Sequence, residues 1–163
     1  MELNGVLLQY QVITMVTRGI MFIGKYENTL DTKNRLIVPS KFREELGIRC
    51  VITKGLDNCI YIYPVHEWED FLLKLSELPI SDINARKFVR HFNASANEAE
   101  IDSQGRLTIP ADLKDYMGAQ KEITTIGDRN KLEIWDRKTL NSVSSEALPS
   151  PSELAESMKQ YGI

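Results

Sequence analysis

Asp31-Thr-Lys-Asn-Arg35-Leu-Ile-Val-Pro39 returns 71 residues later as Asp102-Ser-Gln-Gly-Arg106-Leu-Thr-Ile-Pro110. Asp, Arg, Leu and Pro recur in register, so the chain spells one structural unit twice. The register runs on, with Phe42 against Leu113, Leu46 against Met117 and Gly47 against Gly118. After a gain of one residue, Val51, Thr53, Gly55 and Asn58 answer to Ile123, Thr125, Gly127 and Asn130. Ile60, Ile62 and Tyr63 then answer to Leu132, Ile134 and Trp135. Apolar, glycine and turn positions coincide while charges drift, the pattern of two copies building one backbone. Each copy, at about forty to fifty residues, buries too little surface to stand alone. The two are therefore expected to fold against or through each other, with a pseudo-two-fold axis inside one chain.

Within each motif the fourth position is Asn34 or Gly105, the residue types that best tolerate positive φ. That predicts a left-handed turn residue at a hairpin tip, with Asp31 or Asp102 accepting from nearby backbone N–H groups to fasten it. Phe22 to Leu30 and Asn93 to Ile101 read as strands entering the two tips. Short helices are predicted from Pro39 to Leu46 and from Pro110 to Met117, each ending at glycine. Ile60 to Tyr63 and Leu132 to Trp135 close each copy as strands, and Gly55 and Gly127 read as turn glycines. Between the copies, Trp68, Phe71, Leu72, Leu75 and Leu78 recur at helical spacing. A second linker helix, about Ser81 to Phe92, carries Arg86, Lys87 and Arg90. Ser150-Pro-Ser-Glu153 has capping-box spacing for a last short helix, which could pack on a neighbouring subunit or end the chain as a frayed tail.

The 163 residues carry a net charge of −3, and apolar content is 42%. Such a balance argues against a diffuse cationic surface. The charge is uneven, however: Lys25 to Lys54 holds seven bases against four acids, and Arg86, Lys87, Arg90 and His91 form a second basic cluster. Cys50 and Cys59 have neither Cys-x-x-Cys spacing nor histidine partners, so reduced thiols in an intracellular protein are expected, with no metal.

Catalytic readings fail on detail. Paired Asp-Thr/Ser units invite comparison with aspartic proteases, but Lys33 and Gln104 stand where such a dyad needs glycine, and the chain is too short for two lobes. His66 and His91 lack nucleophile or metal partners, His66 reading as part of the start of the linker helix. No phosphate loop or dinucleotide fingerprint is present. Neither an enzyme nor a cofactor is expected. Arg35 and Arg106 carry two readings that local chemistry leaves open. One is an internal Asp–Arg ion pair holding the hairpin. The other is a guanidinium fork presented at the tip to a phosphate or a guanine edge.

Met21-Phe-Ile-Gly-Lys-Tyr26, the paired Asp-x-x-x-Arg-Leu-x-x-Pro motifs and Tyr63-Pro-Val-His-Glu-Trp68 closely resemble the MraZ family, of the SpoVT-AbrB class, over about Met21 to Leu140. The resemblance implies an α+β fold: a duplicated swapped-hairpin AbrB-like β-barrel with short flanking helices. It also implies sequence-specific binding to double-stranded DNA, at short repeats upstream of the protein's own operon in the division and cell-wall gene cluster. A ring-like homo-oligomer in the cytoplasm, associated with the nucleoid and not with a membrane, goes with it. The family's loop maps onto Lys33, Asn34 and Arg35, with Gln104 and Arg106 at the second tip, as DNA-contacting residues. Asp31, Asp102 and Gly105 take the structural turn positions. Asn34 departs from the family's usual glycine. The competing expectation is a non-enzymatic assembly protein that uses the duplicated barrel for protein–protein contacts.

On this reading the chain divides into an N-terminal extension (1–20), copy 1 (25–67), a helical linker (68–95), copy 2 (96–139) and a tail with a short helix (140–163). The first twenty residues stand outside the repeat and lack a basic n-region, so neither a signal peptide nor an anchor is expected. Arg18-Gly19-Ile20 could be encoded by a ribosome-binding sequence, which leads us to expect translation from Met21. Mass spectrometry finding Met1 on the native protein would contradict this.

Overall fold

A computed structural model describes residues 21–145 and 149–162, and the expectations for residues 1–20, the Met21 start included, lie outside the described residues. The order of elements restates the sequence repeat. Copy 1 runs β1 (Phe22–Thr29), β2 (Arg35–Ile37), α1 (Ser40–Leu46), β3 (Arg49–Lys54) and β4 (Ile60–Pro64). Two linker helices follow, α2 (Val65–Ser76) and α3 (Ile83–Ser95). Copy 2 runs β5 (Asn97–Glu100), β6 (Arg106–Thr108), α4 (Ala111–Met117), β7 (Glu122–Arg129) and β8 (Lys131–Asp136), and α5 (Arg137–Ser145), α6 (Pro151–Met158) and a single 3-10 turn (Lys159–Tyr161) follow.

Six strands form one antiparallel sheet in the order β1-β7-β8-β4-β3-β5, and β2 pairs with β6 in a second, two-stranded sheet. Each copy lends its first strand to the other: β1 lies on β7, and β5 lies on β3. The internal dyad passes between Leu36 and Leu107, equivalent residues paired directly across β2 and β6. It passes again between Tyr61 and Glu133, paired across β4 and β8. Among the described residues the strands form these two sheets and no closed barrel, because the three-residue β2 and β6 pair as strands only with each other.

The strand pleat sorts side chains into two cores. In β4, Ile60 and Ile62 enter a cluster with Leu36, Leu107, Phe42, Leu113, Leu46 and Met117, while Tyr61 and Tyr63 turn to the opposite face. Alternation by two explains both assignments, and a central strand buried on both faces reads as a continuous apolar run. The second face is covered by α2 and α3, where Phe71 stacks on Tyr63 at 5.7 Å and meets Phe92 edge-on at 5.0 Å. Fully burying a residue such as Leu36 or Phe42 contributes roughly 1.5–3 kcal/mol, and both motif cores contribute to one cluster. The two copies are therefore one cooperative unit.

Two local expectations are corrected. The strand expected from Asn93 begins at Asn97, because α3 continues to Ser95. The Ser95 hydroxyl donates back to the His91 carbonyl, accepts from Lys54 N–H at 3.1 Å and lies 3.0 Å from Thr53 Oγ1, which fixes the last turn against β3. Gly127 is a strand glycine, not a turn glycine: it pairs with Gly24, and a Cβ there would lie 2.5 Å from the backbone nitrogen of Ile23. Gly55 does sit in the β3–β4 turn, against Tyr61 and Cys59. Pro39 and Pro110 stand one residue ahead of their helices as extended N-caps. Helix α6 has both halves of its capping box, and none of its residues is buried.

Candidate nucleic-acid interface

The two tips are built alike, atom for atom. Asp31 Oδ1 accepts from the backbone N–H of Lys33 and of Arg35, each at 2.9 Å, and its Oδ2 accepts from Arg35 Nε at 2.7 Å. Asp102 accepts from Gln104 N, Arg106 N and Arg106 Nε at the same distances. Asn34 at φ 57° and Gly105 at φ 77° take the left-handed turn position. Each tip also binds the strand end of the other copy: Val38 N–H donates to the Gly105 carbonyl and Ile109 N–H to the Asn34 carbonyl, both at 2.9 Å. Strand exchange therefore sets the two Asp-x-x-x-Arg turns at opposite ends of the β2–β6 ladder, with Arg35 and Arg106 diagonal to each other on the face opposite the buried Leu36 and Leu107.

The ion-pair reading of the arginines holds in this geometry. Their Nε atoms are committed to the aspartates, and the side chains are 24% and 29% exposed. The terminal guanidinium nitrogens make no further hydrogen bond among the described residues. A clamped Nε fixes the plane of the fork and leaves its outer edge as a preorganised pair of donors. Lys33 and Gln104 are exposed beside it, whereas Gly105 is buried and Asn34 is half-buried.

Hydrogen bonds to the carboxylates, above all from the Arg35 and Arg106 backbone N–H groups, hold Asp31 and Asp102 below their ordinary value of 3.8 against an opposing desolvation. A depressed folded-state value stabilises the turn above the unfolded value, and that contribution is lost as pH falls through the depressed one. The amide signals of Lys33, Arg35, Gln104 and Arg106 are thus expected to stay fixed across neutral pH. They should move only in acid below about 3.8, as followed by NMR titration.

Two residues that sequence reasoning did not single out explain the unequal fourth positions. Arg43 on α1 and Lys114 on α4 are equivalents at the 71-residue offset, and each reaches the other copy's tip. Arg43 donates from Nε to the Val38 carbonyl at 2.8 Å and lies over Gly105, where a Cβ would overlap its guanidinium. Lys114, the less bulky head, leaves room for Asn34 and donates from Nζ to its Oδ1 at 2.8 Å. Asn34 is therefore accommodated by Lys114, and its side-chain oxygen is turned to that lysine. The co-variation of Gly with Arg and Asn with Lys between the copies was the available signal.

Gly105→Asn is expected to destabilise by about 1–3 kcal/mol through overpacking against Arg43. Adding Arg43→Lys should recover most of that loss, whereas Asn34→Gly alone should cost little. Urea unfolding of the three variants checks all of this.

The other candidates fall into structural roles. His66 starts α2, exposed and 3.7 Å from Glu67, and His91 Nε2 donates to the Gly55 carbonyl at 2.8 Å. Cys50 and Cys59 are free and buried, and burial pushes both thiols up to about 12. Among the described residues no cluster could hold a metal ion, and no helix is long and apolar enough to cross a membrane.

Comparison with known proteins adds the decisive observation. The family described as "MraZ protein, putative antitoxin-like" matches the chain twice, over residues 21–91 and 92–160. This chain belongs to the MraZ family. The seam between the two matches falls within α3, between the motif copies. The chain is 46% identical over 143 residues to the transcriptional regulator MraZ of Halothermothrix orenii, covering 88% of this chain and all of that protein. Its similarity to the MraZ regulators of Clostridium acetobutylicum, at 46%, and Clostridium tetani, at 48%, has the same extent. The MraZ relatives are named as regulators of transcription, not as enzymes.

Proposed function

We propose that this MraZ chain is a sequence-specific DNA-binding regulator of transcription, with no catalytic step and no cofactor. The observation that carries the reading is the pair of Asp-clamped tips, which present two dyad-related guanidinium edges on one face of the β2–β6 ladder with Lys33 and Gln104 exposed beside them. Bidentate arginine donors suit a guanine edge, and lysine suits a phosphate. The target is a set of short repeats in double-stranded DNA upstream of the protein's own operon, in the division and cell-wall cluster. The two structural units are residues 25–67 and 96–139, with exchanged hairpins in the manner of an AbrB-like barrel, joined by the linker 68–95 and followed by the tail 140–163. Subunits assemble into a ring-like homo-oligomer in the cytoplasm, at the nucleoid. Several tips on adjacent repeats then combine through effective concentration, so local basic patches suffice despite the net acidic chain.

A second reading, a non-enzymatic assembly protein, is favoured by one observation: Leu154, Met158 and Tyr161 at the C-terminal end are exposed. Gel-shift with DNA from upstream of its own gene, against unrelated DNA at matched salt, separates the two. DNA binding requires a specific shift that falls steeply with salt as counterions are released. Equal, weak binding to both DNAs would leave the assembly reading.

A further inference from the structure

We infer that a basic cavity beside the first tip is a binding site for a DNA backbone phosphate, a contact that rests on the DNA-binding reading above. The cavity, of about 370 Å³, is walled by Lys54 from β3, by Lys87, Arg90 and His91 from α3, and by Asp112 from α4. Three permanent cations thus face one carboxylate. Neither Lys87 nor Arg90 forms an ion pair among the described residues. Uncompensated cations converging from two elements on one concavity are matched to an anion, and a phosphate oxygen accepts from both lysine and arginine.

The walls are fixed, so the site is already formed. The Gly55 carbonyl accepts from His91 Nε2 and from Tyr116 Oη, both at 2.8 Å, tying α3 and α4 to the β3–β4 turn. Lys54 Nζ stands 5.1 Å over the Tyr116 ring. Thr53 Oγ1 donates to the Phe92 carbonyl at 3.0 Å, which holds the end of α3 on the sheet.

Placement relative to the tip gives the ligand class. Helix α4 presents Asp112 and Tyr116, four residues apart, to the cavity side, and Lys114, on the other side, to Asn34 of the first tip. One helix diameter, about 10–12 Å, therefore separates tip from cavity. That is close to the width of a DNA major groove, about 12 Å. A duplex whose base edges meet the first tip brings its phosphate rim to the cavity. Helices α5 and α6 stand after β8 as α2 and α3 stand after β4, but α6 buries none of its residues, so it does not wall the second tip as α3 walls the first, and the equivalents of Lys54 and Asp112 are Ile126 and Lys41. The clamp breaks the internal symmetry and gives the bound chain a direction on the duplex.

Fluorescence anisotropy of the full chain, with upstream and unrelated duplexes over a salt series, tests this using Lys87→Ala/Arg90→Ala. The expected result is a salt slope lower by about 1, with affinity for both duplexes reduced by a common factor. A control, Lys74→Ala/Lys138→Ala, removes equal charge from α2 and α5 outside the cavity and should leave the slope in place. An unchanged slope in the cavity variant, or an equal fall in the control, overturns the clamp while leaving the DNA-binding reading intact. Failure of the unmodified protein to bind either duplex overturns both.

Discussion

Leu36→Ala is expected to destabilise the whole chain by about 2–5 kcal/mol, and Leu107→Ala by the same amount. Both side chains have 0% exposure, and they face each other where the dyad crosses β2 and β6. A cavity at that point removes packing from both copies at once, since the core of each is the core of the other. Domains of this size are stable by only about 5–15 kcal/mol. The double substitution should therefore leave little folded protein, with the two effects adding imperfectly because the leucines touch. Urea unfolding followed by Trp68 and Trp135 fluorescence is the check. One transition shifted to lower urea is expected. Two transitions, with one copy surviving the other, would contradict the interlocked fold.

Arg35→Ala/Arg106→Ala is expected to weaken binding to the upstream DNA by roughly a hundredfold or more, each lost bidentate contact being worth about 1–3 kcal/mol of discrimination. Unrelated DNA should be affected much less, so the ratio between the two duplexes collapses. Stability should change little, because each tip keeps its backbone bonds from residues 33 and 35, or 104 and 106, to the aspartate. Arg35→Lys separates the roles: lysine keeps the charge and loses the fork, so general binding should survive better than discrimination. Normal promoter binding by the double alanine variant, with the protein folded, would make the arginines purely structural.

Much of this was legible in the chain. The repeat fixed two equivalent units, and positive φ at Asn34 and Gly105 followed from which residues tolerate it. Aspartate fastening of the turn is a contact spanning two to four residues, within reach of local reasoning. The misread positions depend on distant partners. Ser95 extends α3 because Thr53 and Lys54 meet its hydroxyl from 42 and 41 residues away. Gly127 is required by the closeness of β1, a strand from the other copy. Lys114 holds Asn34 across 80 residues, which no local pattern reveals. The basic cavity escaped for the same reason: Lys54, Arg90 and Asp112 share no local period and meet only in the fold.

The central claim, that both tips of one chain lie against DNA, is tested most directly by cleavage from the tips themselves. Thr32 and Ser103 are exposed tip residues at equivalent positions. Thr32→Cys and Ser103→Cys would each carry a thiol-linked iron chelate, and the native Cys50 and Cys59, buried with thiols pushed up to about 12, should stay unlabelled. With the upstream duplex bound, cleavage is expected in short clusters within the repeats from either position, and at related sites for the two. Bound DNA left uncut from both tips, or cut evenly along its length, would contradict the claim.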